Sequence, residues 1–193
     1  LATAQTLPTP ENVLGFAIGS QPADHGRICH FLKTYDDLSN RMEVRTYGQT
    51  YEGRPLHYVL VSSEANMKKL AALQNSLADY ADPRKTDAGR AAEMAKTLPA
   101  VVWLAFNIHG DELSGSDAAL QLLYDLVSRH DAEVQHLLDQ LIIVIDPSQN
   151  PDGRTRWLHQ LEQWRTPLTN TDIQSVHHSG VWPYGRGNHY LFD

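Results

Sequence analysis

The spacing of apolar residues divides the first 145 residues of the chain into helices and strands. Apolar residues recur at helical spacing from Ile28 to Leu38, which predicts an amphipathic helix over about 24–39. Leu70 to Tyr80 repeats the same spacing and predicts a second helix. Further helices are predicted in the Ala-rich stretch 87–96, along the stripe from Ala119 to Val127, and from a cap at Asp131 through Leu138.

Four short segments have the pattern of β-strands. Met42 to Tyr47 alternates and Leu56 to Val61 follows after a glycine-bounded turn, so we expect an antiparallel hairpin. Ala100 to Phe106 and Leu141 to Ile145 are continuous apolar runs, typical of strands covered on both faces. Because a helix of about 15 residues lies between them, these two strands should be parallel neighbours. The predicted fold class is α/β, with a mixed, partly parallel sheet of about four strands and helices on both faces.

Two segments lie outside this pattern. Residues 1–20 have no basic or strongly apolar stretch, and we interpret them as a leader or tail segment left after signal cleavage. This interpretation favours a secreted or periplasmic protein, although a cytoplasmic location also fits. Residues 146–193 have no sustained period of 2 or 3.6, and we interpret them as a long, site-forming loop region.

The composition and charge of the chain argue against nucleic acid and membranes as partners. Its 193 residues fit one domain, and 16 basic against 23 acidic residues give a net charge of −7. We expect no nucleic-acid partner, because such binding depends on neutralising phosphates. The longest apolar run, Leu141 to Ile145, is far too short to span a bilayer, so we expect no membrane partner. Cys29 is the only cysteine, which excludes a disulfide or a cysteine-based zinc site within one chain.

Candidate metal ligands follow the strand Ala100–Phe106. His109 and Glu112 are spaced so that an imidazole and a carboxylate can converge on one ion at the carboxyl end of a strand, where α/β sheets bind ligands. Zinc accepts this mixture of nitrogen and oxygen ligands. The same residues also fit a surface loop in which Glu112 favours the start of a helix.

Three further motifs accompany this pair, and each also has an ordinary structural explanation. Asn150-Pro151-Asp152-Gly153 follows the next buried strand and is typical of a turn. Arg165, after Trp164, is either a solvated surface residue or a cation that stabilises an oxyanion in a cleft. The segment 47–56, which reads Tyr-Gly-Gln-Thr-Tyr-Glu-Gly-Arg-Pro-Leu, joins the first two strands.

Together these motifs resemble the zinc metallocarboxypeptidases of the carboxypeptidase A type. The resemblance covers roughly 35–170, with the motifs in the family's order and spacing. It implies a carboxypeptidase fold, a zinc cofactor and hydrolysis of the C-terminal peptide bond of a peptide or protein. It also implies that His109 and Glu112 are the first two zinc ligands. By the same resemblance, Arg165 polarises the scissile carbonyl and binds substrate, and Asn150 belongs to a loop that shapes the cleft and binds substrate.

The chain departs from the family pattern at its end. The Asn-Arg pair that holds the substrate carboxylate, the third ligand and the general-base glutamate are expected beyond residue 193. The predicted domain is therefore the N-terminal part of one catalytic domain, 1–193, which we expect to be inactive alone and to bind zinc weakly. His177, His178 and His189 come too early for the third ligand and are interpreted as loop histidines. A half-sheet would expose an edge, so we also expect self-association.

Two other functions remain open at this point. An N-acyl amino acid deacylase or related amidohydrolase would use the same His109 and Glu112, although the Asn150–Gly153 motif together with Trp164-Arg165 favours a peptidase. A non-catalytic binding module with this fold would also lack part of the ligand set.

Overall fold

The computed structural model of the protein describes residues 7–165, 168, 170–175 and 185–187. Four strands and eight helices follow one another along this part of the chain. In chain order they are α1 (Pro10–Leu14), α2 (His25–Leu38), β1 (Met42–Gln49), β2 (Pro55–Val61), α3 (Glu64–Met67), α4 (Leu70–Ala81), α5 (Ala88–Met94), β3 (Ala100–Ala105), α6 (Leu113–Ser128), α7 (Ala132–Gln140), β4 (Leu141–Asp146) and α8 (Pro151–Trp164).

The strands form one mixed sheet in the order β1-β2-β4-β3. β1 and β2 form the predicted antiparallel hairpin, and β2 pairs antiparallel with β4. β3 and β4 are parallel neighbours in register from Ala100↔Leu141 to Ala105↔Asp146, as predicted. Their carboxyl ends therefore meet at one edge of the sheet, and the loops that follow them are brought side by side.

Helices cover both faces of the sheet, which confirms the predicted fold class. On one face, α1, α2, α6 and α7 bury a large cluster that includes Phe31, Tyr35, Leu120 and Ile145. On the other face a smaller cluster joins α4 to the sheet, made of Leu60, Leu70, Leu73, Ile142 and Val144. Alternate residues of β4 enter the two clusters, so this strand is buried on both sides, as its continuous apolar run predicts.

The prediction that Ala100–Phe106 is covered on both faces is wrong for the part of the chain that the structure describes. β3 is an edge strand, because only β4 pairs with it there. Leu104 packs against the larger core cluster, whereas Val101 and Trp103 point to the opposite face and are 52% and 66% exposed. An apolar run alone cannot distinguish a central strand from an edge strand, because both present the same residues.

Helix α8 corrects the interpretation of 146–193 as a loop region. Asn150 caps this helix by accepting a hydrogen bond from the Gly153 N–H, Pro151 stands in its first turn, and Asp152 is acidic there. The helical period is hidden in the sequence because the buried positions of its first turn are polar. Arg154 is fully buried, and Asp152 is 4% exposed.

The buried Arg154 joins α8 to α6 and to the segment before α2. Its Nη2 donates to Asp117 Oδ2 at 3.0 Å, its Nη1 donates to the Leu113 carbonyl at 2.7 Å, and its Nε donates to the Ala23 carbonyl at 2.9 Å. Burial lowers the pKa of Arg154, and the charge of Asp117 opposes that shift. Each of the three donor nitrogens therefore has a partner, as a buried guanidinium requires.

The described part of the predicted leader belongs to the folded domain. Leu14 in α1 is buried in the larger core cluster, and the Tyr35 hydroxyl donates to the Pro8 carbonyl at 2.6 Å. Among the described residues, no helix combines the length and the apolar character that a membrane crossing demands. Export from the cytoplasm stays a prediction of the sequence.

Candidate metal centre

The loop after β3 is shaped by one asparagine. Asn107 has φ +57°, in the left-handed region that asparagine tolerates better than most residues. Its Nδ2 donates to the carbonyls of His109 at 2.7 Å and Glu112 at 3.2 Å. Its Oδ1 accepts from the Ser148 hydroxyl at 3.1 Å, which ties this loop to the loop after β4. Asn107 therefore folds the backbone so that residues 109 and 112 lie on one side of a turn.

His109 and Glu112 meet at this turn, as the sequence predicts. His109 Nδ1 lies 2.9 Å from Glu112 Oε1, and the Glu112 N–H donates to the His109 carbonyl at 3.1 Å. The Glu112 side chain is about half exposed, and that of His109 is 21% exposed. The pair is held by its own backbone and opens toward solvent.

The donor atoms of this pair fit a zinc ion. A neutral imidazole nitrogen and a carboxylate oxygen are ordinary zinc ligands, and two donors 2.9 Å apart can contact one ion. A catalytic zinc site takes three protein ligands, and the described residues contain no group of three His, Cys, Asp or Glu side chains placed to hold a metal. Within the described part of the chain, the pair therefore offers two donor atoms that a zinc ion could use, and its assignment as ligands stays a prediction.

Asn150, which follows β4, supports the loop over 107–112 that carries His109 and Glu112, called here the metal loop after its predicted role. Its Oδ1 caps α8 at the Gly153 N–H, at 2.9 Å. Its Nδ2 donates to the Ile108 carbonyl at 3.2 Å and to the Arg186 carbonyl at 3.1 Å. Because this amide already makes three structural hydrogen bonds, the structure gives Asn150 a positioning role, and its predicted contact with substrate stays a prediction.

The β1–β2 turn is tied to the same end of α8. Asp152 Oδ1 accepts from Arg54 Nη1 at 2.6 Å and from the Thr50 hydroxyl at 2.8 Å, and Asp152 Oδ2 accepts from the Glu52 N–H at 3.3 Å. Burial alone raises the pKa of Asp152, but these donors outweigh burial and the net shift is downward. The motif over 50–54 is therefore a structural clamp on the loop after β4.

Asp146, the last residue of β4, is also held from the hairpin. It is 1% exposed, and its Oδ2 accepts from the Tyr47 hydroxyl at 2.7 Å. Burial raises the pKa of the Asp146 carboxyl, and the hydrogen bonds from Tyr47 and the Ser148 N–H oppose this shift. Asp146 is sealed between strand and hairpin, so it does not open toward the metal pair.

Arg165 is not brought to the metal pair in this structure. It lies at the C-terminal cap of α8, whereas Asn150, next to the metal loop, lies at the N-terminal cap. A helix of 14 residues spans about 21 Å at 1.5 Å per residue. Arg165 lines a separate cavity of about 330 Å³ with Asp24 and Arg27. Its predicted role at the scissile carbonyl stays a prediction.

A different arginine, missed in the sequence, lies beside the pair. Arg186 Nη2 is 3.2 Å from His109 Nε2, and Arg186 Nη1 is 3.8 Å from Glu112 Oε1. The glycines on both sides of Arg186 are the one sequence signal that could have drawn attention to it, since paired glycines mark a close approach of backbones. The loop histidines His177, His178 and His189 lie outside the described residues.

Comparison with known proteins identifies the family of this site. The sequence profile of the family described as "Zinc carboxypeptidase" matches residues 28–189. The chain belongs to the zinc carboxypeptidase family. The match covers the hairpin turn, the His109–Glu112 pair and the capped start of α8, so the predicted resemblance over 35–170 is confirmed and extended.

Individual zinc carboxypeptidases are similar to parts of this chain. Mouse carboxypeptidase M is 51% identical over 49 residues, which are 24% of this chain and 11% of that protein. The thrombin activatable fibrinolysis inhibitor structure aligns with a TM-score of 0.52 at 16% identity, over 78% of this chain and 31% of that one. Carboxypeptidase A of Helicoverpa armigera aligns at 17% identity with a TM-score of 0.49, over 78% of this chain and 32% of that one. The present chain thus spans about a third of these structures.

Proposed function

We propose that this chain supplies two zinc ligands to a carboxypeptidase that hydrolyses the C-terminal peptide bond of a peptide or protein. The observation that carries the proposal is the convergence of His109 Nδ1 and Glu112 Oε1, 2.9 Å apart, after β3. Membership of the zinc carboxypeptidase family supports the reaction class. The Arg186 guanidinium beside the pair adds a cation suited to an anionic ligand.

Each residue of the loop has a distinct part in this proposal. His109 and Glu112 would hold zinc, which when bound polarises a carbonyl oxygen and lowers the pKa of a bound water. Asn107 fixes the turn by donating to the backbone carbonyls of both residues, so their backbone is already in place when a metal binds. Asn150 holds the same loop from the α8 side, because its Nδ2 donates a hydrogen bond to the Ile108 carbonyl.

The remaining parts of the site must come from outside the described residues. We propose that the third ligand, the group that takes a proton from the attacking water and the group that holds the substrate carboxylate lie there. The chain spans only about a third of the structures it resembles, which supports this division. Arg165 remains a second candidate for the cation at the scissile carbonyl, and comparison with Arg186 tests that assignment.

The experiment is an assay of C-terminal amino acid release, carried out on the complete protein and on this 193-residue chain. The substrates are N-blocked dipeptides that carry each of the twenty residues at the C-terminus, with C-terminally amidated versions as controls. We expect zinc-dependent release from the free carboxylates only, by the complete protein. His109→Ala and Glu112→Gln should each lower this release at least a hundredfold, whereas His136→Ala, an exposed histidine of α7, serves as the matched control.

Three outcomes would contradict the proposal. Full activity in His109→Ala or Glu112→Gln would exclude this pair as ligands. Hydrolysis of N-acyl amino acids without release from the dipeptides would favour the deacylase alternative, because that reaction cleaves an acyl group from the amino side. Ligand binding without hydrolysis of either class would indicate a binding module.

A further inference from the structure

In the part of the chain that the structure describes, two arginines are buried, and they hold opposite ends of α6. Arg154, from α8, is fully buried, and Arg41, which precedes β1, is 5% exposed. Helix α6 has 16 residues, so its two ends lie about 24 Å apart at 1.5 Å per residue. The end that Arg154 holds follows directly on Glu112, which is the N-cap residue of α6. Only this end of the helix therefore adjoins the metal loop.

Two successive carbonyls at the start of α6 each accept a hydrogen bond from a side chain outside the helix. The Glu112 carbonyl accepts from Asn107 Nδ2 at 3.2 Å, and the Leu113 carbonyl accepts from Arg154 Nη1 at 2.7 Å. The Glu112 side chain makes no capping hydrogen bond of its own. The backbone position of Glu112 therefore depends on two side chains, one from the metal loop and one from α8.

The Arg154 guanidinium is itself held in one orientation. Its Nη2 donates to Asp117 Oδ2 at 3.0 Å, and its Nε donates to the Ala23 carbonyl at 2.9 Å. The Ala23 N–H donates in turn to Asp117 Oδ1 at 2.9 Å, which closes a ring of hydrogen bonds. Because a guanidinium is planar, fixing Nε and Nη2 also fixes the direction of Nη1. The donor that reaches Leu113 is therefore already aimed.

The helix dipole explains the position of Arg41 but not that of Arg154. A helix carries partial positive charge at its N-terminal end and partial negative charge at its C-terminal end. Arg41 Nη1 donates to the carbonyl of Arg129, the C-terminal cap of α6, at 2.5 Å, where a cation is favourable. Arg154 meets the other end, where a cation is unfavourable and, when buried, needs Asp117 as its counter-charge. What Arg154 adds at that end is a hydrogen bond of fixed direction.

We propose that Arg154 is a positioning residue of the metal site, which fixes the backbone of Glu112 through the Leu113 carbonyl and so keeps the Glu112 carboxylate beside His109. The metal part rests on the proposed function, because it takes Glu112 as a zinc ligand, whereas the positioning of the helix start does not. Groups that orient a metal ligand from outside the coordination shell change metal affinity by about 10- to 100-fold when they are removed.

The first test measures the zinc affinity of the complete protein by competition with a chelator. Arg154→Met should weaken zinc binding about tenfold, because the start of α6 loses one of its two side-chain anchors. The matched control is Arg41→Met, which also removes a buried guanidinium with three hydrogen-bond contacts, but at the far end of α6. It should change zinc affinity less than about twofold, since distant sites act independently. Equal zinc affinities in the two variants would overturn the positioning role.

A conservative pair of variants covers the case in which Arg154→Met does not fold. Arg154→Lys keeps a cation for Asp117 but lacks the planar fork that reaches Leu113 at the same time. Its zinc affinity should lie between those of Arg154→Met and the native protein, and below that of Arg41→Lys. Equal zinc affinities of Arg154→Lys and Arg41→Lys would also overturn the proposal.

The second test needs no metal and compares amide hydrogen exchange at the two ends of α6 in the metal-free complete protein. Arg154→Met should raise exchange at residues 117–120 about tenfold more than at residues 125–128, and Arg41→Met should show the reverse. An equal rise at both ends in Arg154→Met would overturn the positioning role. If Glu112→Gln keeps the native zinc affinity, the proposed function loses this ligand. The exchange pattern then still decides whether Arg154 fixes the start of α6.

Discussion

β3 and β4 are parallel neighbours whose carboxyl ends meet, yet the loops that follow them differ. The loop after β4 is buried by its partners, and the loop after β3 is partly exposed to solvent. The polar side chains of the loop after β4 all have hydrogen-bond partners. Asp146 accepts from the Tyr47 hydroxyl, Asp152 accepts from Arg54 and Thr50, and Asn150 caps α8. The loop after β3 presents an exposed Ile108 and a half-exposed Glu112.

This difference separates two roles that polar residues have at the same edge of the sheet. On the β4 side, ion pairs and caps stabilise the fold and position the neighbouring loop. On the β3 side, His109 and Glu112 are held by backbone contacts and leave their donor atoms near solvent. Substitutions on the β4 side should therefore affect stability first, and those on the β3 side should affect metal binding first.

The largest effect is expected at Arg154. Arg154→Met leaves Asp117 buried without its cation and leaves the Ala23 and Leu113 carbonyls without a donor, so the free energy of unfolding should fall by about 3–5 kcal/mol. Urea unfolding measures this change, and Arg84→Met is the matched control. Because the Arg84 side chain is 88% exposed, its loss should change the free energy by less than about 0.5 kcal/mol. Equal losses in the two variants would contradict the assignment of Arg154 as a structural ion pair.

The next effect is a loss of stability in mild acid through His25. Burial lowers the pKa of His25 to about 4, and the charges of His57 and Arg54 act in the same direction. An unfolded histidine takes up its proton near pH 6.5. Between pH 6.5 and 4 the unfolded state therefore binds more protons, and stability falls as pH is lowered through this window. Because solvent screens this partly buried group, the loss should total about 1–2 kcal/mol.

His25→Gln checks the assignment of this acid sensitivity. The variant should reduce the slope of unfolding free energy against pH between 6.5 and 4, and leave the part that comes from His57, whose pKa burial also lowers. His136→Gln, at an exposed position of α7, should keep it. An unchanged slope in His25→Gln would show that other groups are responsible.

A smaller effect is expected at the edge of β3 that pairs with no strand among the described residues. Val101 and Trp103 are exposed beside an unpaired strand edge in the part of the chain that the structure describes, and such edges recruit other strands. We predict concentration-dependent self-association of the 193-residue chain, with Trp103→Lys weakening the dimer about tenfold, or about 1.4 kcal/mol. Analytical ultracentrifugation measures it, with Tyr51→Lys in the hairpin turn as control. A native chain that is monomeric throughout, or equal effects of the two variants, would contradict a contact through β3.

The sequence predicts the strands well because their residues are apolar and closely spaced. The β1–β2 hairpin and the parallel pairing of β3 with β4 follow from apolar runs, turn residues and the helix between them. The position of β3 at an edge does not follow, since an exposed Trp103 and a buried Val144 belong to equally apolar runs.

Helix α8 and the position of Arg186 beside His109 could not be predicted, for a different reason. The buried face of α8 begins with Asp152 and Arg154, whose burial depends on partners distant in sequence. If this segment is interpreted as a loop, the number of residues between Asn150 and Arg165 does not fix the distance between them in space. Arg165 can then be placed beside His109, whereas a helix holds it at the far end. Arg186 lies beside His109 through a tertiary contact between segments 77 residues apart.

Zinc titration of the 193-residue chain by calorimetry tests the central assignment most directly. The native chain should bind zinc weakly, because His109 and Glu112 supply two of the three protein ligands that a catalytic zinc takes. His109→Ala and Glu112→Gln should each bind zinc at least tenfold more weakly than the native chain. Both variants should keep the native free energy of unfolding within about 1 kcal/mol, because the two residues lie in the partly solvent-exposed loop after β3. His136→Ala should bind zinc as the native chain does. Native zinc affinity in His109→Ala or Glu112→Gln would contradict the assignment of these residues as the metal ligands.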